Sequence, residues 1–188
     1  MIDLNKKAKE IFEQNKAVGW WDDMDRCIFQ TIQLINTEIS EATEGARKDL
    51  MDDHLPHRKM EEVELADALI RTLDLGGRCG WVWHKMEGHE LESISSTGVF
   101  FDVKTNAGKH LCLVALVTQL LPEVFALRYS TDLSSKYNTY STIVNSIISV
   151  SNFMGYDIIS AMNEKLEYNK SRLDHKRENR SKDGGKAF

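Results

Sequence analysis

EISEATE at Glu38–Glu44 and EEVELAD at Glu61–Asp67 decide how this chain is read, because each sets carboxylates three residues apart inside a strongly apolar helical pattern. On an α-helix, residues i and i+3 share a face with Cβ atoms roughly 5–6 Å apart, so Glu38 with Glu41 and Glu64 with Asp67 each form a two-pronged acidic claw. Like charges at that spacing destabilise a bare helix. Two such helices joined by a short connection pack antiparallel. That brings four carboxylates into one bundle groove, where ionising them all is costly unless a cation joins them. The pattern therefore predicts a metal site with Glu38, Glu41, Glu64 and Asp67 as ligands. Oxygen-only ligands suit a hard cation such as Mg2+, with Mn2+ as a substitute, which keeps several waters and shares its remaining positions with phosphate groups.

Working outward, helical periodicity covers most of the chain. Leu4, Ala8, Ile11 and Phe12 follow an i, i+4, i+7, i+8 pattern, predicting a helix over about Asp3 to Ala17 that Gly19 ends. Trp20 and Trp21 follow, beside Asp22 and Asp23, either of which can cap the next helix. That helix, from about Met24 to Lys48, carries Ile28, Ile32, Ile35, Ile39, Ala42 and Ala46 on one stripe, bordered by Glu38 and Glu41. KDLMDDHLPH reads as a mobile surface loop. A third helix is expected over about Arg58 to Leu75, stopping at Gly76-Gly77, with Asp74 on the face of Asp67 as a supporting carboxylate. Beyond Gly80 the periodicity weakens, with a β-prone run at Val99–Val103. HLCLVALVTQLLPEVFALRY reads as a buried helix kinked at Pro122, its apolar run too short and too interrupted for a membrane span. Ser134–Phe153 and the segment after Asp157 are the last two helices, and the polar tail at 176–188 is expected to be mobile. The architecture predicted is an all-α bundle of six or so helices, one domain over residues 1–175.

Composition narrows the function. The chain has 188 residues, 41% of them hydrophobic and 28% charged, within the ordinary range of a soluble globular protein. A net charge of −5 lacks the basic excess of nucleic-acid-binding domains. Cys27, Cys79 and Cys112 are odd in number and far apart, which points to core thiols in a reducing cytoplasm. The N-terminal segment lacks the apolar core of a signal peptide. No carboxylate-x-x-His pair, P-loop or nucleophile elbow occurs, which argues against di-iron bundles, P-loop enzymes and α/β-hydrolases.

The residues also carry a resemblance. EISEATEGARKD, a loop and ELADALIRTLDLGG resemble the MazG-like branch of the all-α nucleoside triphosphate pyrophosphohydrolases, whose signature is an ExxE helix followed by an ExxD helix. GWWDD and EKLEYNKSR are similar to that branch too, so the resemblance spans about residues 15–80 and 155–186. Thr37 stands where the motif often has a further Glu, and the chain between Gly80 and Gly155 is an insertion (about 81–154) relative to compact relatives, with an inserted helical pair. The resemblance implies a Mg2+-dependent cut between the α- and β-phosphates of a nucleoside triphosphate, giving a monophosphate and pyrophosphate, in a homo-oligomer (dimer or tetramer). It implies Glu38, Glu41, Glu64 and Asp67 as metal ligands, with Glu38 or Glu41 as the base.

Lys165, Asn169 and Arg172 lie at i, i+4 and i+7 of the last helix, so they share a face that suits phosphate and sugar recognition. Surface charge pairing is the plainer account of the same spacing. Trp20 and Trp21 are either a lid on the core or a stacking wall for a nucleobase. The rival for the whole chain is a non-catalytic helical protein whose acidic groove binds a divalent cation or a basic partner.

Overall fold

The computed structural model describes residues 2–23, 25, 27–85, 104, 105, 108–110, 112–114, 116, 117 and 132–172. Its named elements are all helices: α1 (Leu4–Ala17), α2 (Ile28–Lys48), α3 (Met60–Cys79), α4 (Leu133–Phe153) and α5 (Ile158–Ser171). Helical residues also occur between 108 and 117. Among the described residues, extended pairing is confined to a single antiparallel bridge between Met51 and Lys59, so the all-α bundle expected from periodicity is the fold. The β-prone run at Val99–Val103, the Pro122 kink and the tail lie outside the described residues.

α3 occupies the centre. It packs against α1, α2, α4 and α5, and every residue from Glu61 to Gly76 is buried except Asp67 and Arg71. A helix buried on all sides needs apolar residues on all sides, and Val63, Leu65, Ala66, Ala68, Leu69 and Leu73 supply them. Full burial of each larger side chain contributes about 1.5–3 kcal/mol relative to exposure. Around this axis, α1 lays Leu4, Ala8 and Ile11 inward, while α2 contributes Ile32, Ile35, Ile39, Ala42 and Ala46. Tyr140, Val144 and Ile147 of α4 and Ala161 and Met162 of α5 join the same apolar cluster, with Cys112, Leu113 and Leu116.

Local signals set most of the boundaries. The Asp3 carboxylate accepts from the backbone N–H groups of Asn5 and Lys6 and starts α1, and Asp157 does the same for α5 through Ser160. Asp132 caps α4 through the Ser135 N–H. α2 departs from expectation: it begins at Ile28, and neither aspartate of GWWDD caps it. Cys27 holds the cap position without a side-chain bond, and Asp23 instead turns back on the Asp25 N–H. Cys27 is accordingly exposed rather than a core thiol, whereas Cys112 is buried and Cys79 partly so.

The glycine pair does not stop α3. The helix runs on to Cys79 and closes at Gly80, whose φ of 66° is the left-handed conformation that glycine adopts without strain. Gly76 and Gly77 serve close packing: a Cβ on Gly76 would lie 2.3 Å from Cζ of Tyr140, and one on Gly77 2.4 Å from the Ala8 carbonyl oxygen. KDLMDDHLPH at 48–57, expected to be mobile, is tied down instead. Asp52 is buried and accepts from the N–H groups of His54 and Leu55, while the backbone of Asp52 bonds to that of Arg58. Arg58 then reaches Ser160 and Glu164 on α5 and Glu62 on α3. No helix among the described residues is long and apolar enough to cross a membrane.

Because the neighbour of Gly77 is backbone that cannot rotate away, Gly77→Ala should destabilise the fold by about 1–3 kcal/mol, the range for overpacking a close contact. Urea denaturation at fixed pH measures this, and an unchanged midpoint would mean that α1 does not seat on α3 at this point.

Candidate metal centre

α2 and α3 run antiparallel, so Gly45 lies against Met60 near one end while Glu38 meets Arg71 towards the other. Between these contacts the carboxylates of Glu38, Glu41 and Glu64 converge, each offering an oxygen within 4.8 Å of the other two. Glu38 and Glu64 are buried and Glu41 is exposed, so the cluster opens to solvent on one side. Three of the four expected ligands are thus together. Asp67 is not in the group: its Oδ2 takes the Lys165 ammonium at 2.9 Å. Lys165 is buried on α5, and a buried ammonium requires a carboxylate, which Asp67 provides.

The balance of charge defines the site. Glu38, Glu41, Glu64 and Asp67 bring four negative charges when ionised, and two cations are in contact with them: Arg71 donates from Nε to Glu38, and Lys165 pairs with Asp67. Four minus two leaves a charge of −2. In a groove with two buried carboxylates that excess is expensive, and it raises the affinity for protons. Burial, then the charges of Asp67 and Glu38, push the Glu64 carboxyl up to about 9 against the opposing pull of Lys165. Burial also raises Asp67, again against Lys165. Burial opposes the charge of Lys165, yet Asp67 and Glu64 outweigh it and hold the ammonium above its ordinary range.

The residues expected to recognise substrate are dispersed. Lys165, expected as a phosphate-facing cation, has only 2% of its surface exposed and is committed to Asp67. Asn169 is partly buried, and its Oδ1 is buried with no hydrogen-bond partner among the described residues. Arg172 follows α5 in extended conformation, with its guanidinium 5.9 Å from the Tyr168 ring centre, and the His54 ring centre lies 4.6 Å from that of Tyr168. Trp21 is a core residue rather than a stacking wall. Its ring packs on Phe12 and under Arg78, and its Nε1 donates to Asp74 at 2.9 Å. Trp20 is half-buried. Asp74 also accepts from Asn15, so it fastens α1 and Trp21 to α3 instead of supporting the acidic pair two turns away.

Arg71 was not among the expected site residues, although its spacing announces it: it stands seven residues after Glu64 and four after Asp67, on the same face of α3. Glu61 extends the acidic series in the other direction and is fully buried, bonded to Lys109 and to the Tyr156 hydroxyl at 2.7 Å. No signal in the sequence links Lys109 to Glu61, because the pairing crosses 48 positions. Comparison of the chain with protein-family models, with curated proteins and with solved structures returns no match.

The raised Glu64 carboxyl has a consequence for stability. Unfolded, it ionises near 4.5; folded, it keeps its proton to about 9, so between those values the native state binds the extra proton and stability falls as pH rises. The slope is at most about 1.4 kcal/mol per pH unit. Urea midpoints in metal-free buffer at pH 5, 6, 7 and 8 should decline for the parent chain and level off in Glu64→Gln; a flat profile in the parent would show Glu64 ionised at neutral pH.

Proposed function

We propose that the chain is a Mg2+-dependent nucleoside triphosphate pyrophosphohydrolase, cleaving between the α- and β-phosphates to release a nucleoside monophosphate and pyrophosphate. The observation that carries this reading is the convergence of Glu38, Glu41 and Glu64 within 4.8 Å across two antiparallel helices. The donor set fits the ion: it is all oxygen, it is open on the Glu41 side, and the residual charge of −2 matches a divalent cation. The ExxE and ExxD pairs, read as similar to MazG-like enzymes, support the same assignment.

Glu38, Glu41 and Glu64 would hold the ion. Bound there, Mg2+ supplies neutralisation of phosphate charge and a lowered pKa for water. The chain's own groups then divide the work. Arg71 bonds Glu38 and fixes its carboxylate in place. Glu64, with apolar helix around it, would give up its proton to hold a cation. Glu41 is exposed and meets no hydrogen-bond partner among the described residues, which leaves it available to take a proton from the attacking water. Asp67 and Lys165 hold α3 to α5 and set the local charge.

Incubating the chain with each common ribo- and deoxynucleoside triphosphate and Mg2+, then resolving the products, tests the assignment. Monophosphate and pyrophosphate are expected, and Glu41→Gln should lower kcat by about 100-fold or more while helix content is kept. Release of orthophosphate would overturn the assigned bond. No turnover of any nucleotide would favour a helical protein that binds a divalent cation or a partner without catalysis.

A further inference from the structure

Two cations touch the acidic cluster, and they differ in what they have left to offer. The Lys165 ammonium is buried in the bundle and held by Asp67. Arg71 uses only Nε on Glu38; its two terminal nitrogens meet no acceptor among the described residues, and its side chain is 36% exposed. A guanidinium held by one edge presents its remaining N–H groups as a preset fork, the geometry that binds phosphate oxygens in pairs. A divalent cation brings the cluster, Arg71 and Lys165 included, to neutrality, so the further negative charge of a polyphosphate calls for hydrogen-bond donors beside the ion. Arg71 offers such donors at the edge of the cluster, open to water.

Its place along the groove selects which phosphates it meets. Glu41 lies one turn beyond Glu38 on α2, towards the start of α3, whereas Arg71 lies seven residues beyond Glu64, about 10 Å along α3 in the other direction. Glu38 sits between them, in reach of both. In-line displacement puts the attacking water and the leaving group on opposite sides of the phosphorus. With the base at Glu41, the leaving group is at the Arg71 end. We infer that Arg71 binds the pyrophosphate half of the substrate, an assignment that rests on the proposed pyrophosphohydrolase reading and names the group that receives its leaving fragment.

The test uses the full chain and two probes that need no knowledge of the base: Mn2+ alone, then inorganic pyrophosphate in saturating Mn2+, both by titration calorimetry. Arg71→Ala removes one positive charge beside Glu38, so it should bind Mn2+ at least as tightly as the parent. Its pyrophosphate affinity should fall by about 10- to 100-fold, the loss expected for charged hydrogen bonds. Arg71→Lys, which keeps charge without the fork, should fall between the two and carries the test if the alanine variant does not fold. Equal loss of Mn2+ and pyrophosphate would mean that Arg71 only holds Glu38, and unchanged pyrophosphate binding would remove it from the site; either result overturns the inference while nucleotide turnover by the parent stands. A parent chain that neither binds pyrophosphate nor turns over any triphosphate overturns the functional reading and the inference with it.

Discussion

Lys165 and Asp67, paired at 2.9 Å inside the bundle, illustrate the constraint on which the rest of the structure depends: α3 is buried along nearly all of its length and still carries five acidic side chains between Glu61 and Asp74. Breaking a buried pair by removing one partner costs about 3–5 kcal/mol, so each of these groups needs a partner from a surrounding element. Glu61 has Lys109 and Tyr156, Glu62 has Arg58, Asp67 has Lys165, and Asp74 has Asn15 and Trp21. Glu64 instead faces other carboxylates, those of Glu38 and Glu41. The group set among carboxylates rather than against a donor is the one at which the candidate site forms.

This arrangement couples the framework to the site. The partners come from α1, from the connection before α3, from the segment containing Lys109, from the turn before α5 and from α5 itself. Arg58 shows the economy of the scheme: one guanidinium satisfies Glu62 on α3 and Glu164 on α5, and Glu164 is thereby held down near 2, first by Arg58 and then with help from His57 and Ser160. The connection from α2 to α3 is therefore part of the clamp that seats α5, and α5 in turn carries the lysine that occupies Asp67. Trp81 and Tyr140 are likewise integral to the bundle, since Tyr140 fills the space left by Gly76 and Trp81 packs on the same ring.

Two acidic residues at the same helical spacing have come to differ in role through their neighbours. Glu64 and Asp67 form one claw in the sequence, yet only Glu64 turns into the carboxylate cluster. Trp20 and Trp21 divide in the same way. One hydrogen bond to Asp74, with Phe12 and Arg78 against the ring, places Trp21 in the core. Its indole N–H is satisfied by a carboxylate that the spacing had assigned to the acidic pair.

The sequence by itself determined the helices, their apolar faces, the Asp157 cap and the convergence of Glu38, Glu41 and Glu64. All of these follow from periodicity, local hydrogen bonding and the short connection between α2 and α3. Arg71 was legible at the same spacing. What only the tertiary structure decided is which partner each charge receives: Lys165 with Asp67 rather than with a phosphate, Asp74 with Trp21, Glu61 with Lys109, and the glycine pair as a close crossing rather than a stop. These depend on contacts between residues far apart in the chain, where the cost of burying an unpaired group selects the partner, and no local pattern records that selection.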